Sequence, residues 1–267
     1  MWQFVVVYPS IAVGFLLVLA LMVRWFAVRS DQKRTEYLLV FTMFAVVLSS
    51  IAQAIANNLT RLRPMKYDLY VYRIDSFFGQ PSFVLGRMVA ENTALKILVS
   101  ISYGILPMVI VAVFATYLYL RSGTETVATL RVFLVNLIAA VPLYLIYPVC
   151  GPQMAFAEFP EQPTFPPAPH LLGIASAPNG VPSVHMSSAL LILWLLRRWT
   201  WGRLAGGVFA ALTVLATLGS GQHYFFDLLC AIPYAAAVYW IAWGKTSRVP
   251  AKEVAPVNHQ EAAFSTE

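Results

Sequence analysis

The chain has 267 residues, 59% of them hydrophobic and only 11% charged, less than half the roughly 25% charge of a soluble domain, so a water-facing globule is excluded. The net charge is +6. Its Lys and Arg residues lie mostly in short connections between apolar runs, where they set membrane orientation. No aromatic-interleaved basic patch suited to single-stranded nucleic acid occurs. Because backbone groups in lipid must be satisfied within the segment, the expected fold is all-α, a polytopic transmembrane helical bundle of about seven spans.

In chain order, apolar run length marks spans at roughly 4–27, 36–57, 95–120, 128–149, 184–199, 204–220 and 223–243. The first run is too long for a signal-peptide core and lacks a basic leader, so it reads as a retained span. Together the spans and their connections make one transmembrane domain, 1–243, followed by a short polar tail, 244–267, that is expected to be disordered. Cys150 falls in a loop and Cys230 about two turns inside the last span, so the two thiols are expected to be unpaired.

Orientation follows from the basic residues. Arg29, Lys33, Arg34, Arg121, Arg131, Arg197, Arg198, Arg203, Lys245, Arg248 and Lys252 occupy the connections after the first, third and fifth runs and the tail. That set is expected on the cytoplasmic side, with the N-terminus outside and the C-terminus inside. Residues 58–94 and 150–182 are then extracytoplasmic loops. The second is rich in proline and is expected to be non-helical, either a wall over a site or a plain connection. The first carries Arg61, Arg63, Lys66, Arg73 and Arg87 on the unexpected side. Such a cluster can bind an anion; equally, long loops translocate despite their charge, and Asp68, Asp75 and Glu91 offset part of it.

Of the twelve acidic residues, Asp227 alone lies well inside an expected span. An ionisable group there is expensive and marks a candidate functional site. His223 stands four residues earlier, and on a helix those positions share one face. The carboxylate can fix the imidazole tautomer and leave the other ring nitrogen free to act. The same pair can also serve only to satisfy itself in a polar bundle core.

His185 lies in Pro182-Ser183-Val184-His185, where Ser183 is a good N-cap and the fifth span begins. A helix start presents backbone N–H groups and a partial positive charge, an anion site in waiting. On this topology His185 and His223 both open spans at the outer face. His170 and His259 read as ordinary loop and tail residues. Two histidines and an aspartate can hold zinc, but no metal-ligand motif such as H-E-x-x-H occurs, and no metal or other cofactor is expected.

At these residues the sequence resembles the type 2 phosphatidic acid phosphatase superfamily, and within it the branch containing inositol phosphorylceramide synthases. That family carries Pro-Ser-x-His at the start of one helix and His-x-x-x-Asp at the start of a later one. Here these read Pro182-Ser183-Val184-His185 and His223-Tyr224-Phe225-Phe226-Asp227. The segments Tyr147 to Pro152, Tyr67-Asp68 through Asp75, Gly79, Pro81-Ser82-Phe83 and Gly86-Arg87 are similar to bacterial members of that branch. The likeness covers roughly residues 60–245. Two elements of the wider family are missing. The lysine expected before Arg63-Pro64 is Ala56, and the Ser-Arg pair expected before His223 is Ala216-Thr217.

The resemblance implies that His223 attacks phosphorus, that Asp227 holds its ring, and that His185 protonates the leaving oxygen and then activates the acceptor. Backbone donors near Ser183 and members of the group Arg61, Arg63, Lys66, Arg73 and Arg87 would hold the phosphoryl oxygens. The implied substrate is a lipid phosphate or phosphodiester, met in the membrane lipids, and the implied location is a bacterial inner membrane with the site facing the periplasm or exterior. A phosphatase using water, a phosphotransferase passing a phospho-headgroup to another lipid, and a non-catalytic transporter with a His–Asp proton relay all remain open.

Overall fold

The computed structural model describes residues 67–120, 123–163 and 179–244. The expected spans 4–27 and 36–57, the cations Arg61, Arg63 and Lys66, His170, His259 and the tail from residue 245 lie outside the described residues. Every regular element among the described residues is a helix: α1 (Tyr67–Ser76), α2 (Pro81–Glu91), α3 (Thr93–Gly104), α4 (Leu106–Leu120), α5 (Gly123–Ile146), α6 (Pro152–Ala155), α7 (Val184–Leu196), α8 (Thr200–Gly219) and α9 (Phe225–Trp243). By length and composition α5, α8 and α9 can each cross a membrane, and α3 with α4 can together form a fourth span.

α7 is the centre of the bundle. It packs against α8, α9, α4 and α5. Its residues Ala189, Leu191, Ile192 and Leu195 are buried against Val113 and Tyr117 of α4, Val132 of α5, Phe209 of α8 and Val238 of α9. A helix apolar on all sides belongs in such a position. The Tyr117 hydroxyl donates to the Leu195 carbonyl at 2.7 Å, so this buried polar atom has a partner. Where α7 meets α8, a Cβ at Gly206 would lie 2.9 Å from the Leu193 Cα. The absent side chain lets the two backbones touch, as small residues do between membrane helices.

Several sequence expectations change. The run 95–120 is not one straight span: α3 and α4 are bent by 48° at Ile105. The run 184–199 yields a helix that ends at Leu196, which at 1.5 Å per residue rises about 20 Å against about 30 Å for α8. Alone it is shorter than the hydrocarbon core. Among its described residues the expected loop 58–94 holds two helices, α1 and α2. Run length missed them because they are short and each mixes buried with exposed positions. Among its described residues the proline-rich 150–182 segment holds one helical turn, α6, since Pro152 stands at its first position, where a missing N–H costs nothing.

α1 lies across the site end of the bundle. Val71 and Tyr72 pack with Phe83 of α2, Phe156 and Tyr224. Between α5 and α6, Gly151 adopts φ 93°, and a Cβ there would stand 2.2 Å from the Gln222 carbonyl oxygen. That turn and the loop preceding α9 are thus pressed together, backbone on backbone.

Candidate active site

The loop between α8 and α9 is held by main-chain bonds. Both Gln222 N–H and His223 N–H donate to the Thr217 carbonyl, at 3.2 and 3.3 Å, and the Ser82 hydroxyl of α2 donates to the His223 carbonyl at 3.0 Å. His223 therefore precedes α9 and does not lie on it: Tyr224 is the N-cap and Asp227 the third helical residue. The expectation that the pair shares a helix face is corrected. What closes the pair is Asp227 reaching back over the helix start, a capping-box contact. Its Oδ2 accepts the Tyr224 N–H at 2.9 Å and lies 3.2 Å from His223 Nδ1. A Cβ on Gly180 would fall 3.2 Å from that same oxygen, so the backbone after the proline-rich segment closes over the pair.

His185 opens α7 beneath a Ser183 N-cap whose hydroxyl oxygen accepts the Met186 N–H at 3.3 Å. The Ser183 N–H donates to the Asp227 carbonyl at 3.3 Å, which ties the two motifs together. The ring centroids of His185 and His223 are 6.2 Å apart, and His185 is stacked on Tyr103 of α3 at 4.1 Å. Below the pair, Asn136 of α5 accepts from the Ser187 hydroxyl at 2.8 Å and donates to that of Ser188 at 3.0 Å, while the Tyr234 hydroxyl donates to its carbonyl.

Burial pushes the His223 imidazole down from its ordinary 6.5 to about 4, with the Gly180 backbone pulling the other way. At neutral pH the ring is uncharged and one nitrogen keeps its lone pair.

The structure thus brings His185, Ser183, His223 and Asp227 together. Arg73 and Arg87 stand apart. Arg73 is exposed on α1, and Arg87, its side chain 40% exposed, faces Glu161 at 3.9 Å, a surface pair that holds the side chain only weakly. Ala216 and Thr217 are buried, and the Thr217 hydroxyl donates to the Thr213 carbonyl at 2.8 Å, so this turn of α8 supplies no cation. Among the described residues no three His, Cys, Asp or Glu side chains group as metal ligands would.

Sequence reasoning missed two carboxyl groups. Asp68 and Asp75, expected to offset surface cations, are completely buried on α1. Asp75 accepts the N–H groups of Phe225 and Phe226 at 2.7 and 2.9 Å. Asp68 accepts those of Cys150 and Gly151 at 3.1 and 3.2 Å and the Tyr224 hydroxyl at 3.1 Å. Burial raises Asp68 to about 7 and Asp75 to about 6, with their backbone donors opposing the rise. Their seven-residue spacing, two helical turns, was the signal available. The N–H groups at the start of α9 are consequently occupied by carboxylates.

A family model described as the PAP2 superfamily matches residues 70–241. No curated protein and no solved structure gives a match.

Proposed function

The chain belongs to the PAP2 superfamily, and from that premise we propose that it is a membrane lipid phosphate phosphatase acting through a phosphohistidine on His223. The observation that carries this reading is the Asp227–His223 contact at 3.2 Å with the second imidazole 6.2 Å away, centroid to centroid. With its Nδ1 proton held toward Asp227, the neutral ring directs Nε2 at phosphorus. A P–N bond forms, the P–O bond to the lipid breaks, and His185 gives its proton to the departing oxygen. His185 then takes a proton from water, whose oxygen attacks phosphorus and releases His223. Backbone donors near Ser183 and one or more of Arg61, Arg63 and Lys66 are the donors for the phosphoryl oxygens.

The position of the basic residues supports an extracytoplasmic site. Arg198 bonds Glu125 at 2.8 Å, which brings the N-terminal end of α5 to the C-terminal end of α7, and α7 begins at the histidine site. Arg197, Arg198 and Arg203 therefore gather at the end of the bundle opposite the histidines, and positive-inside orientation places that end in the cytoplasm. The N-terminus outside, the C-terminus inside and a bacterial inner-membrane location belong to the same proposal, as does the single transmembrane catalytic domain over 1–243.

A second reading, transfer of a phospho-headgroup to another lipid as in inositol phosphorylceramide synthases, is favoured by burial: His223 is only 4% exposed, and a site that limits water suits a lipid alcohol as acceptor. The test is purified protein in EDTA given phosphatidic acid, a monoester that can release free phosphate, or a headgroup-bearing phosphodiester lipid, each with and without diacylglycerol or ceramide. Free phosphate supports the phosphatase and a new phospholipid the transferase. His223→Asn should abolish both; a variant that still turns over would end the phosphohistidine reading.

A further inference from the structure

Neither Asp68 nor Asp75 has a part in the chemistry above, yet both are buried ionisable groups aimed at the segment that carries it. Stability alone does not require them. Ser, Thr, Asn or Asp at the N-cap of α9 would satisfy helix-start N–H groups locally. The chain instead has Tyr224 there, with Asp227 of α9 meeting only the Tyr224 N–H, and takes the carboxylate for the Phe225 and Phe226 N–H groups from another helix at greater desolvation cost. A cap supplied from a distance does something that a local one cannot: it sets the direction in which the helix begins. His223, just outside α9, is fixed on one side by Thr217 and Ser82, while the three residues that follow it, Tyr224, Phe225 and Phe226, are all held by α1.

We propose that Asp75 and Asp68 are positioning residues, and that α1 is a strap whose two carboxyl groups hold the start of α9 so that the His223 ring faces His185. Asp75 aligns the first turn through Phe225 and Phe226. Asp68 joins the Tyr224 hydroxyl to the Cys150–Gly151 turn, so the loop after α5 is held by the same strap. The functional half of this inference rests on His223 being the nucleophile, while its geometric half concerns the ring alone.

The test separates those halves. Full-length protein labelled with 15N-histidine contains four histidines, few enough to assign the His223 ring signals by substitution. Asp75→Ala should mix the His223 tautomers and lower kcat about 100-fold, the scale of a misplaced catalytic group, with KM within about twofold. Asp75→Asn, which keeps one accepting oxygen, should retain about ten times the turnover of Asp75→Ala, and Tyr224→Phe tests the Asp68 arm in the same way. Val132→Ala, buried in the core away from the site, should lower Tm and leave the ring signals unchanged. If Asp75→Ala and Asp75→Asn lower Tm while the ring signals and kcat match the parent, the strap proposal is overturned. A parent protein that neither releases phosphate nor forms a new phospholipid ends the functional reading instead, and the ring signals still decide the strap.

Discussion

His223 carries a charge state that the fold sets against its ordinary chemistry. Burial lowers it to about 4 from 6.5, so it stays unprotonated where an exposed histidine would already carry a charge. A depressed pKa means that protonation begins only at lower pH. The acid limb of kcat/KM should therefore fall near pH 4–5, and a limb centred near 6.5 would show that the ring is solvated. Asp227 should matter mainly through tautomer and orientation. Asp227→Asn keeps the shape while donating where it formerly accepted, and phosphate release should drop by about 10³–10⁴-fold, as an orienting carboxylate does elsewhere. Asp227 was legible because a charge inside an apolar run is conspicuous. Asp68 and Asp75 were not, because a buried carboxylate in a polar stretch looks like any surface one until its neighbours are known.

Among the elements, the short ones do most to shape the site. α3 carries Tyr103 onto the His185 ring, and its first turn is capped by Asn92, whose side chain accepts the N–H groups of Ala94 and Leu95 at 2.9 and 3.1 Å. Asn92→Ala should destabilise the protein by about 1 kcal/mol, read as a lower Tm in detergent. Any accompanying loss of turnover would arise through Tyr103. The bend after Tyr103, at Ile105, is invisible to hydropathy, since both halves are equally apolar. α7 shows the converse: its start was readable from Pro182 and Ser183, but its early end before Arg197 was hidden within a run that continues through Trp199. α1 and α2 escaped notice because a run-length criterion for spans passes over helices of 10 and 11 residues.

At the scale of the whole molecule, α7 at the centre, with the histidines at one end and the arginines at the other, makes orientation a testable property. In a cysteine-free background, Glu158→Cys should react with a membrane-impermeant maleimide added outside spheroplasts, and Arg203→Cys only after permeabilisation. The reverse pattern would place the site in the cytoplasm. Neither native thiol, Cys150 or Cys230, is in a disulfide, so removing them breaks no bridge.

The sequence by itself determined the all-helical class, the membrane habit, most span positions among the described residues and the three side chains that the fold gathers in the candidate site. Each of these depends on short-range pattern: apolar run length, a cap, a charge where lipid forbids one. Only the tertiary structure decided how His223 and Asp227 meet, that Arg87 faces Glu161, and that two acids of a seemingly polar loop grip the start of α9. Those facts depend on contacts between residues as much as 156 positions apart, and local periodicity carries no record of a partner that distant.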